Sequence, residues 1–399
     1  SDPILRSLKD QNYKKPTPIQ AEVIPAVLNN SDIMAAAQTG TGKTAAFVLP
    51  ILSKLSNSKY KYKGHQLRAL IVTPTRELAA QVRESVNTYS KYLSIRSTAV
   101  YGGARIHNQR LKLRKGIDIL VATPGRLLDL HNQKSVNLQN IEILVLDEAD
   151  QMLDMGFIHD IKKIDNLLPD RRQNLMFTAT FSDSFRSLAM NMAEKAIEIS
   201  VTNDNETGEN INHYIHPVDK SRKAELLIEL IKTKKWDQAL VFTRTKHGAD
   251  RLQKQLDKVN INSKAIHGNK TQNNRMKALE AFKNNKIQIL VATDVAARGI
   301  DIKRMSQVIN FDVPTVAKDY VHRIGRTGRG GDMGEAITLV SADEFRLLRD
   351  IEKLINKKLE RVEIEGFEPE HVVSIQDKPN TKRFHNKKGF KKRNKSRKG

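Results

Sequence analysis

The sequence predicts two tandem α/β domains, each a parallel sheet flanked by helices, followed by a basic tail. Three observations predict it. Short apolar, β-branched runs alternate with helical patterns along the chain, as in βαβ units built around parallel sheets. Strand-like wording recurs at one spacing: Ile-Leu-Val-Ala-Thr stands at Ile119–Thr123 and again at Ile289–Thr293, and Leu-Ile-Val-Thr-Pro-Thr at Leu70–Thr75 resembles Leu-Val-Phe-Thr-Arg-Thr at Leu240–Thr245. Both pairs are separated by 170 residues (119 to 289, 70 to 240), and a shared offset argues for duplication over coincidence. Finally, 399 residues, 39% hydrophobic and 28% charged, suit two globular domains better than one core.

Taken in order, the first half offers strands at Asp32–Ala36, Ala69–Thr73, Ile117–Ala122, Ile143–Asp147 and Asn174–Thr178. The second half offers Ala239–Thr243, Ile287–Ala292, Gln307–Asp312 and Glu335–Val340. Between the halves, the polar stretch Asn203–Asn212 has the composition of an exposed linker. The expected boundaries are a first domain at 1–203, a linker at 204–212, a second domain at 213–366 and a tail at 367–399. From Lys378 onward the tail carries eleven Lys or Arg and no acid, with Phe384 and Phe390 its aromatics, so it is expected to bury no core and to be disordered when free.

The net charge of +23 and pI near 9.9 favour a polyanionic partner, nucleic acid before membrane. The absence of cysteine excludes disulfides, thiolate zinc sites and thiol catalysis, and fits a reducing, cytoplasmic setting. No apolar run approaches the roughly 18–20 residues of a membrane span. The opening residues, SDPILRSLKDQ, lack the apolar stretch of a signal peptide, and a start without Met is expected of a processed or trimmed chain.

Two motifs carry chemistry. Ala37-Gln38-Thr39-Gly40-Thr41-Gly42-Lys43-Thr44 follows a strand and opens a helix, the context of a phosphate-binding loop. Gly40 and Gly42 let backbone N–H groups curl around phosphate oxygens, Lys43 reaches the β- and γ-phosphates, and Thr44 offers a hydroxyl to Mg²⁺. Ala37 replaces the usual first glycine. Downstream, Ile143-Leu144-Val145-Leu146 ends in Asp147-Glu148-Ala149-Asp150. At the carboxyl edge of a parallel sheet, Asp147 is placed to hold Mg²⁺ and Glu148 to orient or deprotonate an attacking water.

The second copy is expected to lack this site. Its equivalent strand, Val308–Asp312, is followed by Val313 and Pro314 where Glu148 and Ala149 stand in the first, and no Gly-Lys-Thr occurs around Gly208, where a second loop would fall. What the silent copy can lend is His322-Arg323-Ile324-Gly325-Arg326-Thr327-Gly328-Arg329. Helix is not expected through two glycines, so these arginines should fan out from a turn at a domain edge, as fingers on phosphate or as a basic patch on RNA.

These residues resemble the DEAD-box RNA helicases over nearly the whole chain except the tail. The signature Asp147-Glu148-Ala149-Asp150 is present literally, and Pro16-Thr17-Pro18-Ile19-Gln20 is similar to the Q motif, which implies that Gln20 reads the adenine edge. Pro74-Thr75-Arg76-Glu77-Leu78, Gly102-Gly103 and Thr123-Pro124-Gly125-Arg126 resemble the first domain's RNA-contacting motifs. Thr178-Ala179-Thr180 stands where the family usually has Ser-Ala-Thr, and with Asp150 is implied to couple hydrolysis to unwinding. In the second domain Val241-Phe242-Thr243-Arg244-Thr245, His267-Gly268, Gln272 and Arg275 resemble RNA-facing motifs. Ala292-Thr293-Asp294-Val295-Ala296-Ala297-Arg298-Gly299-Ile300-Asp301 resembles the segment that touches both ligands, which puts Thr293 on RNA, Arg298 in coupling and Asp301 near the ribose. By the same resemblance Arg326 and Arg329 are the fingers, and His322 with Arg323 supports the closed interface. Val241–Ala249 and Ala265–Lys270 are worded most like the bacterial RhlE-like subgroup. The family's adenine-stacking aromatic upstream of the Q motif would precede Ser1, so weakened nucleotide binding is expected, and Tyr13 either shapes the adenine pocket or serves the core.

The resemblance implies two RecA-like domains and an ATP-dependent, Mg²⁺-requiring RNA helicase. Neither half holds a full site, so hydrolysis is expected to require closure on ATP and RNA together. The RNA-facing positions are rich in small residues and backbone groups, which suits sequence-blind grip on single strands and short duplexes by phosphate and 2′-OH. Stacking of about 1.4 kcal/mol per step, a DNA figure, limits one closure to a few base pairs, so unwinding is expected to be local and non-processive. The tail is expected to tether RNA, and ribonucleoprotein partners are possible. An ATP-gated RNA clamp or remodelling scaffold with little unwinding is the alternative.

Overall fold

A computed structural model describes residues 2–37, 40–57, 66–193, 195–201, 211–297, 305–328 and 333–370. Seven strands come from the first half: β1 (Ile33–Ala36), β2 (Ala69–Val72), β3 (Ser97–Val100), β4 (Ile119–Ala122), β5 (Ile143–Leu146), β6 (Gln173–Thr178) and β7 (Ile197–Ser200). Seven come from the second: β8 (Ile211–Pro217), β9 (Ala239–Phe242), β10 (Ser263–Ile266), β11 (Ile289–Ala292), β12 (Gln307–Asn310), β13 (Gly334–Val340) and β14 (Glu360–Arg361). All pair in parallel, in the orders β3-β4-β2-β5-β6-β1-β7 and β10-β11-β9-β12-β13-β8-β14. Each strand of the second sheet occupies the place of the strand seven earlier in the first, so the two halves share one topology.

The central strands read as unbroken apolar runs because both faces of each sheet are covered. Along β2, Ala69 and Ile71 join the cluster containing Phe47 and Phe177, whereas Leu70 and Val72 join the one containing Leu127 and Phe185. The second sheet divides likewise, with Ala239 and Val241 on one face and Leu240 and Phe242 on the other. Nine strands fall on the predicted runs. The five not predicted are peripheral or weakly apolar: β3 alternates half-buried and buried positions, β7 buries one residue of four, β10 reads Ser-Lys-Ala-Ile, β8 carries two histidines, and β14 is a two-residue edge.

Strand register corrects two sequence-based equivalences. Ala69 pairs with Ile143 and Ala239 with Gln307, so Phe311 stands at the position of Asp147, and Asp312, placed there by sequence, stands at that of Glu148. The backbone agrees: Asp147 N donates to Val72 O, and Phe311 N to Phe242 O. The counterpart of the phosphate loop follows β8, beginning at Val218, and not around Gly208, which lies outside the described residues. The second domain also starts earlier and ends later than expected. Ile211 and Asn212, assigned to the linker, open β8, and Phe367, assigned to the tail, lies under the Arg222 guanidinium while Glu370 N donates to Asp219. The rest of the linker and the tail from 371 lie outside the described residues. No described helix is long and apolar enough to cross a membrane.

Candidate active site and RNA-facing surface

Sheet topology sorts the motifs before any side chain is considered. The phosphate loop, Thr178-Ala179-Thr180 and Asp147-Glu148-Ala149-Asp150 leave the carboxyl ends of β1, β6 and β5, three neighbours in the sheet. The segments at Pro74–Leu78, Gly102-Gly103 and Thr123–Arg126 follow β2, β3 and β4, the other half of the same edge. Ligands of such sheets lie along this edge, so one crevice holds two adjoining territories.

In the first territory, Gly40 and Gly42 have φ of 91° and 96°, and the helix Lys43–Asn57 begins immediately after. The Gln20 amide donates to Gly42 O (3.2 Å), and its Oε1 accepts from Thr17 N (3.0 Å). A Cβ at Gly42 would collide with that amide. The glycine therefore serves two needs, the left-handed turn and the approach of Gln20. Thr41 and Thr44 are half-buried; Ala37 is buried; Gln38 and Thr39 lie outside the described residues.

Lys43, Asp147 and Glu148 are buried, yet Lys43 Nζ, Asp147 Oδ1 and Glu148 Oε2 have no hydrogen-bond partner. Buried polar atoms are normally paired. An orphaned ammonium facing two orphaned carboxylate oxygens is the donor and acceptor set that a nucleotide phosphate with a divalent cation would complete. Burial pushes both carboxyls up; Glu148 reaches about 7, with Asp147 adding to the rise and Lys43 and Arg326 opposing it. Glu148 also adopts φ 54°, a strained conformation for a residue with a side chain, and such strain concentrates at functional sites. Asp150 accepts from Ala179 N (3.1 Å), and Thr178 Oγ1 donates to Thr180 O (2.8 Å), tying the acidic motif to the end of β6.

In the second territory, Thr75 caps the Arg76–Tyr89 helix by accepting from Leu78 N. The Arg76 guanidinium packs over Gly103, where a side chain would displace it. Arg126 donates to Ala104 O (3.3 Å), Thr123 N to Val100 O (3.1 Å), and Pro124 and Gly125 open the Pro124–Asn132 helix. These segments form one surface of threonine, glycine and arginine.

The second domain faces this edge. Gln272 Nε2 donates to Glu77 Oε1 (2.8 Å), and Arg275 pairs with the same oxygen (2.9 Å). Gln272 and Arg275, expected to face RNA, are thus buried in a clasp across the domains. Glu77, to which the sequence alone assigns no separate role, is its centre. Lys318 and Asp154 form a second, exposed cross-domain pair at 3.7 Å. Arg326 is buried and acts on Glu148 across the gap; its backbone O accepts from Met305 N, and Thr327 Oγ1 donates to Ser306 O.

Arg323 does not fan out. The helix Ala317–Ile324 continues through it and ends at Gly325, and Arg323 is 2% exposed. Its guanidinium binds Asp294 bidentately (2.6 and 2.7 Å), donates to Asn310 Oδ1 and Asp312 O, and lies over Phe242. His322 lies in the same helix. Arg323 therefore braces the turn after Thr293, which is nearly buried at the start of the Asp294–Ala297 helix. His267 is buried against Asp250 (3.0 Å), leaving Gly268 as the open position of its pair. Arg244 is partly exposed beside Asp312 and Glu344. Tyr13 donates to or accepts from Tyr89 (2.8 Å), which fastens the chain just after the Asp2–Asp10 helix to the Arg76–Tyr89 helix. Arg298, Asp301 and Arg329 lie outside the described residues.

Residues 17–188 match the family described as DEAD/DEAH box helicase, and 222–331 match the helicase conserved C-terminal domain. The chain is 40% identical over 370 residues to the DEAD-box ATP-dependent RNA helicase RhpA of Helicobacter pylori, covering 93% of this chain and 74% of RhpA. It is 42% identical over 363 residues to CshA of Bacillus anthracis, covering 91% and 68%. Among solved structures it superposes on S. cerevisiae Dbp5 bound to RNA and ADP BeF3 with a TM-score of 0.80, at 31% identity and 91% and 94% coverage. Against a Dbp5 variant bound to Nup159, Gle1, IP6 and ADP, at 30% identity and 92% and 96% coverage, the score is 0.62. At nearly constant identity and coverage, the chain superposes better on the RNA-bound structure.

Proposed function

Since the chain belongs to the DEAD-box family of ATP-dependent RNA helicases, we propose that it hydrolyses ATP at the junction of its two domains and opens short RNA duplexes locally. The observation that carries this reading is the orphaned Lys43, Asp147 and Glu148 cluster, finished from across the gap by Arg326.

In this reading Gln20 takes the adenine edge and Ala37–Thr44 cradles the phosphates, with Asp301 at the ribose. Thr44 and Asp147 would hold Mg²⁺, which when bound neutralises phosphate charge; a hydroxyl, one carboxylate and substrate phosphates suit that ion better than a cage of protein ligands. Glu148, poised near neutrality, takes a proton from the water that attacks the γ-phosphorus, and the bond from that phosphorus to the β,γ-bridging oxygen breaks to leave ADP and phosphate. Arg326, with Arg329, stabilises the charge that develops on the transferring group. Asp150 bonded to Ala179, with Thr178 and Thr180, carries the state of the acidic motif to the end of β6. Arg298, Arg323 and His322 carry the closed state on the other side.

RNA lies along Pro74–Arg76, Gly103 and Thr123–Arg126 of the first domain and Arg244, His267-Gly268 and Thr293 of the second. Gln272 and Arg275 contribute through the clasp on Glu77. The basic tail adds sequence-blind affinity. We place the chain in the RhlE-like subgroup on the wording of Val241–Ala249 and Ala265–Lys270, and in the cytoplasm on its composition. Ribonucleoprotein assemblies are the natural source of short duplexes for such an enzyme.

The test is ATPase activity with RNA, with DNA of the same sequence and without nucleic acid, beside strand displacement. RNA alone should stimulate turnover and release a short strand. Equal stimulation by DNA would remove 2′-OH recognition. RNA held with ATP but no strand released would favour the clamp. Glu148→Gln should bind ATP and RNA yet stall before hydrolysis, and normal turnover would remove Glu148 from its role.

A further inference from the structure

Each half also opens a helix with a lysine shortly after its equivalent strand, although residue count places Ala224, one position on, level with Lys43. Lys43 is the first residue of the helix after β1, and Lys223 the first residue of the helix Lys223–Thr233 after β8, the strand equivalent to β1. The two ammonium groups have opposite surroundings. Lys43 Nζ has no partner. Lys223 is 1% exposed, and its Nζ donates to Phe311 O (2.9 Å), to Leu339 O (2.8 Å) and to the Glu344 carboxylate.

Glu344 is held as a bound anion would be. Its Oε2 accepts from Lys223, Ser341 N (3.3 Å) and Ser341 Oγ (3.1 Å); its Oε1 accepts from Val313 N (3.2 Å) and the Arg244 guanidinium (2.7 Å). Phe311, in the place of Asp147, takes away the carboxylate a metal would need and closes over Lys223. In the second copy, then, a protein carboxylate, itself fixed by the capping box it forms with Ser341, partners the ammonium whose helix-opening counterpart Lys43 has no partner.

Arg244 links that buried carboxylate to the surface. Arg244 follows the end of β9, where Pro74 follows β2, and the next residue, Thr245, caps its helix as Thr75 does. Arg244 N donates to Asp312, at the position of Glu148, and its guanidinium to Glu344 and Val313 O. We propose that Glu344 is a built-in substitute for nucleotide phosphate, a positioning residue that keeps the Thr243–Thr245 loop of the second domain ready for RNA in every nucleotide state, acting through Arg244. This rests on the reading that Arg244 faces RNA. Its consequence is a division of labour: ATP organises the first domain and closure, while the second domain's grip needs no nucleotide.

A buried ion pair kept only for packing predicts something different. Replacing such a pair by neutral groups of similar shape is commonly neutral for folding, and it would leave RNA binding alone. The test is the double variant K223M/E344Q in the full chain, which removes both buried charges together and leaves no unpaired ammonium. It should fold with a Tm near the parent's, yet raise both the nucleotide-free Kd for single-stranded RNA and the RNA concentration that half-saturates ATPase by about tenfold, the scale of one charge-assisted hydrogen bond. The KM for ATP and the rate at saturating RNA should stay within about twofold. Arg244→Ala should weaken RNA binding at least as much, and combining it with K223M/E344Q should add nothing. An unchanged RNA Kd in K223M/E344Q beside a weakened Arg244→Ala overturns the role of Glu344 while sparing that of Arg244. A silent Arg244→Ala sinks the premise instead, and a fall in every parameter with Tm reduces Glu344 to a structural pair. If K223M/E344Q fails to fold, Glu344→Asp, which keeps the charge but shortens its reach, decides the matter: weakened RNA binding supports the proposal, and parental binding overturns it.

Discussion

Glu77→Ala should cost the enzyme its closed state without costing it its fold. Glu77 is 2% exposed and is the shared acceptor of Gln272 and Arg275. Burial pushes the Arg275 guanidinium below its ordinary value and Arg76 adds to that, with Glu77 opposing both. Removing one partner of a buried ion pair usually costs about 3–5 kcal/mol, because the survivor stays buried and uncompensated. Here the survivor has an escape. When the domains separate, Arg275 reaches water, so the penalty falls on closure rather than on either domain's stability. About 3 kcal/mol on that equilibrium is about a hundredfold fewer closed molecules. The parent chain has no cysteine, so exposed Lys112 and Lys254 can be changed to cysteine and labelled for energy transfer between the domains. With ATP and RNA present, Glu77→Ala should shift the population toward the low-transfer state, raise half-saturating RNA by about a hundredfold, and leave Tm nearly unchanged. Parental energy transfer would refute the clasp. So would a large loss of Tm with normal closure, since that would place the Glu77 contribution inside one domain.

Three further outcomes follow from the same geometry. In the free enzyme kcat/KM for ATP should rise as pH increases through about 7, where Glu148 gives up its proton. Because Arg326 lowers that value, Arg326→Ala should move the midpoint of the residual activity upward, and a downward move would contradict the placement of Arg326 near Glu148. Gly42→Ala should raise KM for ATP by at least about tenfold, since its Cβ meets the Gln20 amide at a φ that only glycine adopts freely; an isothermal titration at parental affinity would contradict the pairing. Truncation after Asp377 should weaken RNA binding mainly at low salt, with a log–log slope shallower by about 0.7 for each phosphate the tail no longer neutralises, and equal weakening at all salts would argue against a tether.

Much of this was legible because buried parallel strands leave a plain mark. Both-face burial turns β2, β4, β5, β9 and β11 into apolar runs, and the residues that follow them carry the motifs. Strands at the periphery left no such mark: β7 has one buried residue, and β14 is two residues long. Equivalence between the copies was legible for β2 and β4 but not beyond, because loops of different length separate the later strands. Matching the acid that ends each strand places Asp312 at the position of Asp147, and hydrogen-bond register moves it by one. Arg323 defies the sequence for a related reason: two glycines suggest a helix that stops before the arginines, whereas it stops at the first glycine, after Arg323 is already buried. Lys223 did leave a signal. It precedes Leu226, Leu227 and Leu230 at helical spacing, which puts a lysine on an apolar stripe and requires a buried partner.

The clasp and the buried Lys223–Glu344 pair bear on a single question, why a duplicated fold keeps a copy without a nucleotide. Two active copies would each change state with their own ATP, and RNA held between them would meet four combinations of states, of which one is productive. If Glu344 stands in for phosphate as proposed, the second copy has one state, the number of combinations halves, and each closure reports on the single nucleotide proposed to bind at Lys43. What then distinguishes closed from open are the contacts made across the gap, among them Glu77 with Gln272 and Arg275, Arg326 with Glu148, and the exposed pair Lys318–Asp154. Ligands can bias an equilibrium only through interactions that differ between its states. Under the proposed assignment those interactions lie beside both ligand territories, since Glu77 follows Thr75-Arg76, proposed to face RNA, and Arg326 acts on Glu148, proposed as the hydrolytic carboxylate. Strand and fuel would therefore favour the same closure from adjoining halves of one sheet edge, and the second domain can serve as a jaw that needs no nucleotide of its own.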